Sequence, residues 1–199
     1  MPPRRNVPDN SIHHITNRGN DRKVIFPHPV DYASFLVLLR EAREKFAVQL
    51  YSYCLMPNHF HLVLWAANLL TLSAYMHFVE REHACDLRAC YKSKGHGHIF
   101  QRRYWNDQIQ DERHLFNVMR YVEANPLRAG LVRSPEEWEW SSMWDWCTGE
   151  RDLLHPSPIR LPADWKTIVS IPQERADLDV IRRPIKMGRP NRQKDLRES

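Results

Sequence analysis

No stretch of this sequence approaches the roughly 18 consecutive apolar residues of a membrane-spanning helix. The opening Met1-Pro2-Pro3-Arg4-Arg5 lacks the apolar centre of a secretion signal. The expectation is a cytoplasmic protein with no membrane partner. Cysteine is scarce: Cys54, Cys85, Cys90 and Cys147 form no Cys-x-x-Cys pair, so they read as reduced thiols. A nitrogen and sulfur set for zinc can still be drawn from His83, Cys85, Cys90, His96 and His98. Its spacing fits no common finger, and His83 and Cys85, two residues apart on a helix, face differently. Internal repeats are absent as well, which excludes a solenoid.

Net charge is missing from most of the chain. Residues 181–199 hold seven Arg or Lys against two acidic residues, which accounts for the whole formal charge of +5 and leaves residues 1–180 neutral. A basic excess confined to a tail suits an arm that touches nucleic acid, and suits a solubilising terminus equally well.

What is present is an ordinary globular composition, 42% hydrophobic and 27% charged over 199 residues. That suits one domain with appendages. The expected boundaries are a main domain over 1–148 and a Pro-rich, irregular C-terminal extension over 149–199, ending in the basic tail 181–199. Residues 11–16 alternate as a strand. Residues 31–46 carry Tyr32, Phe35, Leu36, Leu39, Ala42, Arg43 and Phe46 on one helical face, the arginine being the only polar member. Residues 49–56 and 59–65 read as a hairpin about Pro57-Asn58, and 71–90 as a second helix. Residues 99–105 and 108–110 supply a last strand or bulged pair, and a third helix runs from about Asp111 to Ala124. The order strand, helix, strand, strand, helix, strand, then an extra helix implies an α+β, ferredoxin-like antiparallel sheet with helices on one face. Trp138, Trp140, Trp144 and Trp146 read as the packing of a subdomain edge.

Two histidines open the second strand of the hairpin. Alternation puts His59 and His61 on one face and Phe60 on the other. Two imidazoles on one rigid strand make half a metal site, but a bare His-x-His by itself favours the plainer reading of two half-buried strand residues. Downstream, Tyr121 and Asn125 are four apart and share a helical face. A tyrosine hydroxyl beside a metal-bound phosphate can attack phosphorus and form a covalent ester. The Asn125 amide oxygen would suit Mg²⁺ or Mn²⁺ as a third ligand. Spacing alone favours plainer roles, with Asn125 starting a helical turn at Pro126 and Tyr121 in the core.

Four segments come in a familiar order: Met56-Pro57-Asn58-His59-Phe60-His61, residues 97–104 (GHIFQRRY), residues 120–132 (RYVEANPLRAGLV) and Trp140-Ser141-Ser142. Together they resemble the single-tyrosine HUH transposases, in particular their REP-associated branch, over residues 11–146. The resemblance implies a nuclease and strand-transferase that cuts and rejoins single-stranded DNA near hairpins of repetitive extragenic palindromes. It further implies a divalent cation, Mg²⁺ or Mn²⁺, a covalent 5′-phosphotyrosine and a nucleoid-associated protein, with a monomer favoured and a dimer open. By position, His59 and His61 become the metal pair, Asn125 a further polar ligand and Tyr121 the nucleophile. A domesticated hairpin-binding protein without turnover is the alternative. Arg102 departs from relatives, where that position is often glycine, which bears on the DNA groove. Expected phosphate partners are Arg18, Arg22, Lys92, Lys94, Arg102 and Arg103, and Arg182, Arg183 and Arg189 resemble short minor-groove arms.

Overall fold

The computed structural model describes residues 9–91, 97–101, 103–149 and 152–187, with side chains through 182. Lys92, Lys94, Arg102 and Arg189, together with His96 and the side chain of Arg183, lie outside what is described. The chain runs β1 (Ser11–Arg18), α1 (Pro29–Lys45), β2 (Val48–Met56), β3 (His59–Ala66), α2 (Leu69–Tyr91), β4 (Trp105–Ile109) and α3 (Glu112–Glu123). All ladders are antiparallel and the strand order is β2-β3-β1-β4, the ferredoxin-like arrangement that the element order implies. The histidine strand β3 and its neighbour β1 are therefore the interior pair.

Local chemistry explains the helices on the first face. Pro29 starts α1, and Asp31 accepts the His28 backbone N–H at 2.8 Å. Asn68 accepts from Thr71 N at 2.9 Å and caps α2. Phe35 and Leu39 of α1, with Tyr75, Met76 and Val79 of α2, pack against Ile15, Leu55, Phe60, Leu62 and Leu64 of the sheet. Each such apolar side chain contributes about 1.5–3 kcal/mol on burial. Arg43, the polar exception on the α1 face, donates to the Leu153 carbonyl at 3.0 Å. His83 joins this core, its ring nitrogen donating to Ile25 O at 2.8 Å between Phe26 and Phe35, while Cys85 and Cys90 are exposed. Among the described residues, the zinc set drawn from the sequence is thus not brought together.

The second face is covered by α3 and by the chain beyond it. A bulge between Leu50 and Ser52 shifts the phase of β2, so that Ser52, Cys54 and Met56 all turn toward α3. The edge of β2 is then closed by later chain: Leu55 N donates to Trp140 O at 2.9 Å, His155 N to Leu50 O at 2.7 Å and Trp138 Nε1 to Leu55 O at 2.9 Å. Trp140 also stacks on Tyr32, ring centroids 4.9 Å apart. Two of the four tryptophans therefore close a sheet edge, whereas Trp146 is exposed.

The expected irregular extension is more ordered than its prolines imply. After α4 (Asn125–Arg128) come α5 (Ser142–Thr148), α6 (Trp165–Ser170) and α7 (Arg175–Met187). Pro162 and Pro172 lie just outside α6, whose last carbonyls at Ile168 and Ile171 accept from Arg120 at 2.9 and 2.8 Å. Helix α7 extends past residue 181, where the basic tail was expected to start, because Ile181 is buried on the second face. No helix among the described residues is long and apolar enough to cross a membrane.

Candidate active site

The polar pocket grows out of strand alternation. Phe60 points into the first core, between Phe35 and Phe100. His59 and His61 therefore point to the α3 side, lying opposite Arg18 and Thr16 of β1. His61 is 3% exposed. Next to it on β1, on the same face, sits His14, fully buried, with its Nε2 3.0 Å from His61 Nδ1 and the rings 19° from parallel. His59 Nδ1 lies 2.7 Å from Asn58 Oδ1, an oxygen that can only accept.

Tyr121 closes the pocket from α3. Its ring stands edge-on to His61 at 5.6 Å between centroids and to His14 at 6.1 Å. Helix α3 is well specified: Asp111 accepts from His114 N at 2.7 Å, and Leu115, Val118, Met119 and Val122 face the sheet. Glu123 pins its C-terminal end. This fully buried carboxylate accepts from Ser52 Oγ (3.1 Å), Ser142 Oγ (2.7 Å) and Trp165 Nε1 (2.7 Å). Burial pushes the Glu123 carboxyl up and these hydrogen bonds push it down. It binds the tyrosine helix to β2, α5 and α6 at once.

Asn125 comes next, at the start of α4. Its amide nitrogen donates to the Tyr121 and Val122 carbonyls at 3.1 and 3.2 Å, and its oxygen accepts from Arg128 at 2.7 Å. The same Arg128 guanidinium lies over the Tyr121 ring at 4.0 Å, and that of Arg182 at 5.7 Å. Two cations therefore stand around this tyrosine.

Burial sets the charge state of the histidines. It pulls His14 down to about 3, helped by His114, and His59 down to about 4, helped by Arg18 and Arg128. His61 is held well below 6.5 by burial first, then by His59, His14 and the two arginines. All three are neutral at pH 7, the form in which imidazole ligates a cation. Nδ1 of both His59 and His61 is engaged, and Nε2 of both has no hydrogen-bond partner among the described residues. That donor pair fits a divalent cation taking its other ligands from oxygen. Among the described residues, no three of His, Cys, Asp and Glu are grouped to hold a metal ion.

Of the residues singled out from sequence, the fold brings together His59, His61, Tyr121, Asn125, Arg18 and Arg182. Arg22 sits beside them in the turn after β1, where Asp21 and Arg22 take φ of 53° and 60°. That turn is latched to the histidine hairpin through Gly19 N to Asn58 O (2.9 Å) and Ile25 N to Pro57 O (2.8 Å). A Cβ on Gly19 would lie 2.1 Å from the Lys23 carbonyl oxygen, so only glycine fits. Arg103 is exposed near the start of β4. Sequence reasoning missed His14, Glu123 and Arg128. Arg128 lies seven residues past Tyr121, a spacing that two helical turns bring round, but His14 gives no signal until β1 is paired with β3.

The chain is similar to known proteins in sequence and in fold. Residues 8–125 match the family model described as "Transposase IS200 like". A Haemophilus influenzae protein named as a REP-associated tyrosine transposase is 26% identical over 124 residues, covering 56% of this chain and 69% of that protein. A solved REP-associated tyrosine transposase bound to a REP hairpin superposes with a TM-score of 0.60 at 15% identity, over 82% of this chain and 95% of its own. The two chains share a fold. The chain belongs to the IS200-like transposase family, and the REP-associated tyrosine transposases are the relatives that its motifs resemble.

Proposed function

We propose that this protein is a metal-dependent nuclease and strand-transferase that acts on single-stranded DNA at REP-type hairpins. The observation that carries this reading is the meeting of Tyr121 with His61 and His14 on one face of the sheet, within one chain. A site complete in one chain supports a monomer. The hairpin substrate is inferred from the REP-associated relatives.

His59 and His61 would hold Mg²⁺ or Mn²⁺ through Nε2, and a divalent cation there polarises a phosphate and offsets its developing charge. Asn125 is the proposed third ligand; to serve, its oxygen must exchange Arg128 for the cation. Arg18, Arg128 and Arg182 hold the scissile phosphate against Tyr121, and Arg22, Arg103 and the basic tail track the backbone on either side. Tyr121 then loses its proton and its oxygen bonds to phosphorus. The bond to the 3′ oxygen breaks, and that oxygen leaves as a hydroxyl. The 5′ phosphate stays on the tyrosine, so attack by a 3′ hydroxyl rejoins a strand without a nucleotide cofactor.

Hairpin binding without turnover is the second reading, favoured by the occupied Asn125 oxygen. A denaturing gel after incubation with a REP-like hairpin and Mn²⁺ separates the two. Cleaved strand from the wild type, and none from Tyr121→Phe, supports the enzyme. Intact strand with retained binding supports the alternative.

A further inference from the structure

His14 belongs to none of the four sequence motifs, yet it is among the most deeply buried polar residues on the site face of the sheet. Its strand neighbours on that face are Ile12 and Thr16, and an apolar residue would fill the position without leaving a ring nitrogen unmet. Instead His14 Nδ1 is buried with no partner among the described residues, while Nε2 lies 3.0 Å from His61 Nδ1. An imidazole pair kept neutral shares one proton across such a contact.

We infer that His14 is a positioning residue for His61. It accepts the His61 Nδ1 proton, and so fixes that ring with a bare Nε2 turned toward the cation. This rests on the reading of His59 and His61 as the metal pair. Two proton arrangements compete. If His14 donates, then His61 carries its proton on Nε2 and cannot ligate. If His61 donates, Nε2 of His61 is a lone pair, and His14 carries its own proton on Nδ1.

Only the second arrangement leaves His61 able to ligate. Asp107 faces His14 across the β1–β4 ladder, but the His14 Nδ1 that then carries the proton meets no partner among the described residues, and the charge that bears on His14 is that of His114. The other ligand is oriented by the same device: Asn58 Oδ1 can only accept, so the His59 proton is on Nδ1 and its Nε2 is bare. Each member of the pair thus has its own acceptor behind it, an arrangement known to orient metal-bound imidazoles and raise their basicity.

The test uses the full chain, with Mn²⁺ alone as the probe, titrated calorimetrically and by electron paramagnetic resonance. His14→Leu removes the acceptor; His14→Gln returns an amide oxygen to about the position of His14 Nε2. The expected result is a loss of about 10- to 100-fold in Mn²⁺ affinity for His14→Leu and recovery of most of it in His14→Gln. Hairpin binding in EDTA should be equal in all three. A folded His14→Leu that binds Mn²⁺ as tightly as the wild type overturns the inference, and so does a folded His14→Gln without recovery. Long-range proton–nitrogen spectra of the metal-free wild type decide the point even where a variant does not fold. A proton on His61 Nδ1 is expected, and one on Nε2 overturns it. Should the wild type take up no Mn²⁺, the metal reading fails, and the same spectra still decide what His14 does to His61.

Discussion

On β3, Phe60 turns into a core of aromatic rings under α1 and α2, whereas His61, the next residue, turns into a polar pocket under α3. The first face is built mostly from apolar side chains, with His13, Asp31 and His83 as buried ionisable groups among them. The second face holds His14, His61, Glu123, Asn125 and the partly buried Arg128 within the same thickness of protein. Apolar packing is the less costly way to cover a sheet, because buried polar groups cost free energy unless they are paired. Both faces leave some unmet among the described residues: His14 Nδ1 and Arg128 Nη1 on the second, His83 Nδ1 and the Tyr75 hydroxyl on the first. The first face is thus the more apolar of the two, and the second gathers the groups that the proposed chemistry would use.

Substitutions on the two faces should separate accordingly. The largest effect is expected for His59→Ala and His61→Ala, which should lower cleavage by about a thousandfold or more, since a cation supplies several kcal/mol at the transition state. Hairpin affinity measured in EDTA should stay near that of the wild type; a joint loss of both would mean that these rings serve folding, as Phe60 does.

Glu123→Ala comes next. It strips the acceptor from three buried donors at about 1–3 kcal/mol each, and it frees the end of α3. Melting temperature and cleavage per folded molecule should fall together. Phe35→Ala on the opposite face should cost about 3–5 kcal/mol of stability while sparing the rate of the molecules that remain folded. Equal rates per folded molecule in both variants would dissolve the distinction between the faces.

Acid should separate the faces more gently. His14 near 3, His59 near 4 and His83 near 4 all lie below the unfolded value of 6.5, so below that pH the unfolded chain binds more protons than the native one. Stability is therefore highest above 6.5 and falls as pH drops from there toward 4, which melting curves across that window would follow. His83→Phe should remove part of the first face's contribution, leaving that of His13 and the share from the second face.

The smallest effect concerns the tail. Because Ile181 is buried and Arg182 stands by Tyr121, a cut after Met187 is cleaner than one at 181. It removes Arg189, Arg192, Lys194 and Arg197. The salt dependence of single-strand binding should flatten by about 0.7 for each phosphate that the tail neutralises, with cleavage retained at low salt. An unchanged slope would take the tail out of DNA binding.

Alternation and helical spacing carried much of this into view from sequence. His59, Phe60 and His61 could be sorted onto faces because strand period is fixed, and the apolar stripe of α1 gave the first core. What escaped depends on contacts distant in sequence. His14 meets His61 across 47 positions, and Ser52 reaches Glu123 only because a bulge rephases β2. Helix α7 was hidden by its charge, since only Leu178 and Ile181 mark its buried side. Asn125 was legible as a polar neighbour of Tyr121, but its hydrogen bonds to Arg128 and to the end of α3 were not.

The central claim is that Tyr121 is the nucleophile. The most direct measurement is to incubate the wild-type protein with a REP-like hairpin and Mn²⁺, digest it, and locate the attached nucleotides by peptide mass spectrometry. A 5′-linked phosphodiester is expected on the peptide containing Tyr121, with no adduct from Tyr121→Phe at unchanged hairpin affinity. DNA attached to any of the other six tyrosines, or cleavage by Tyr121→Phe, would contradict the claim.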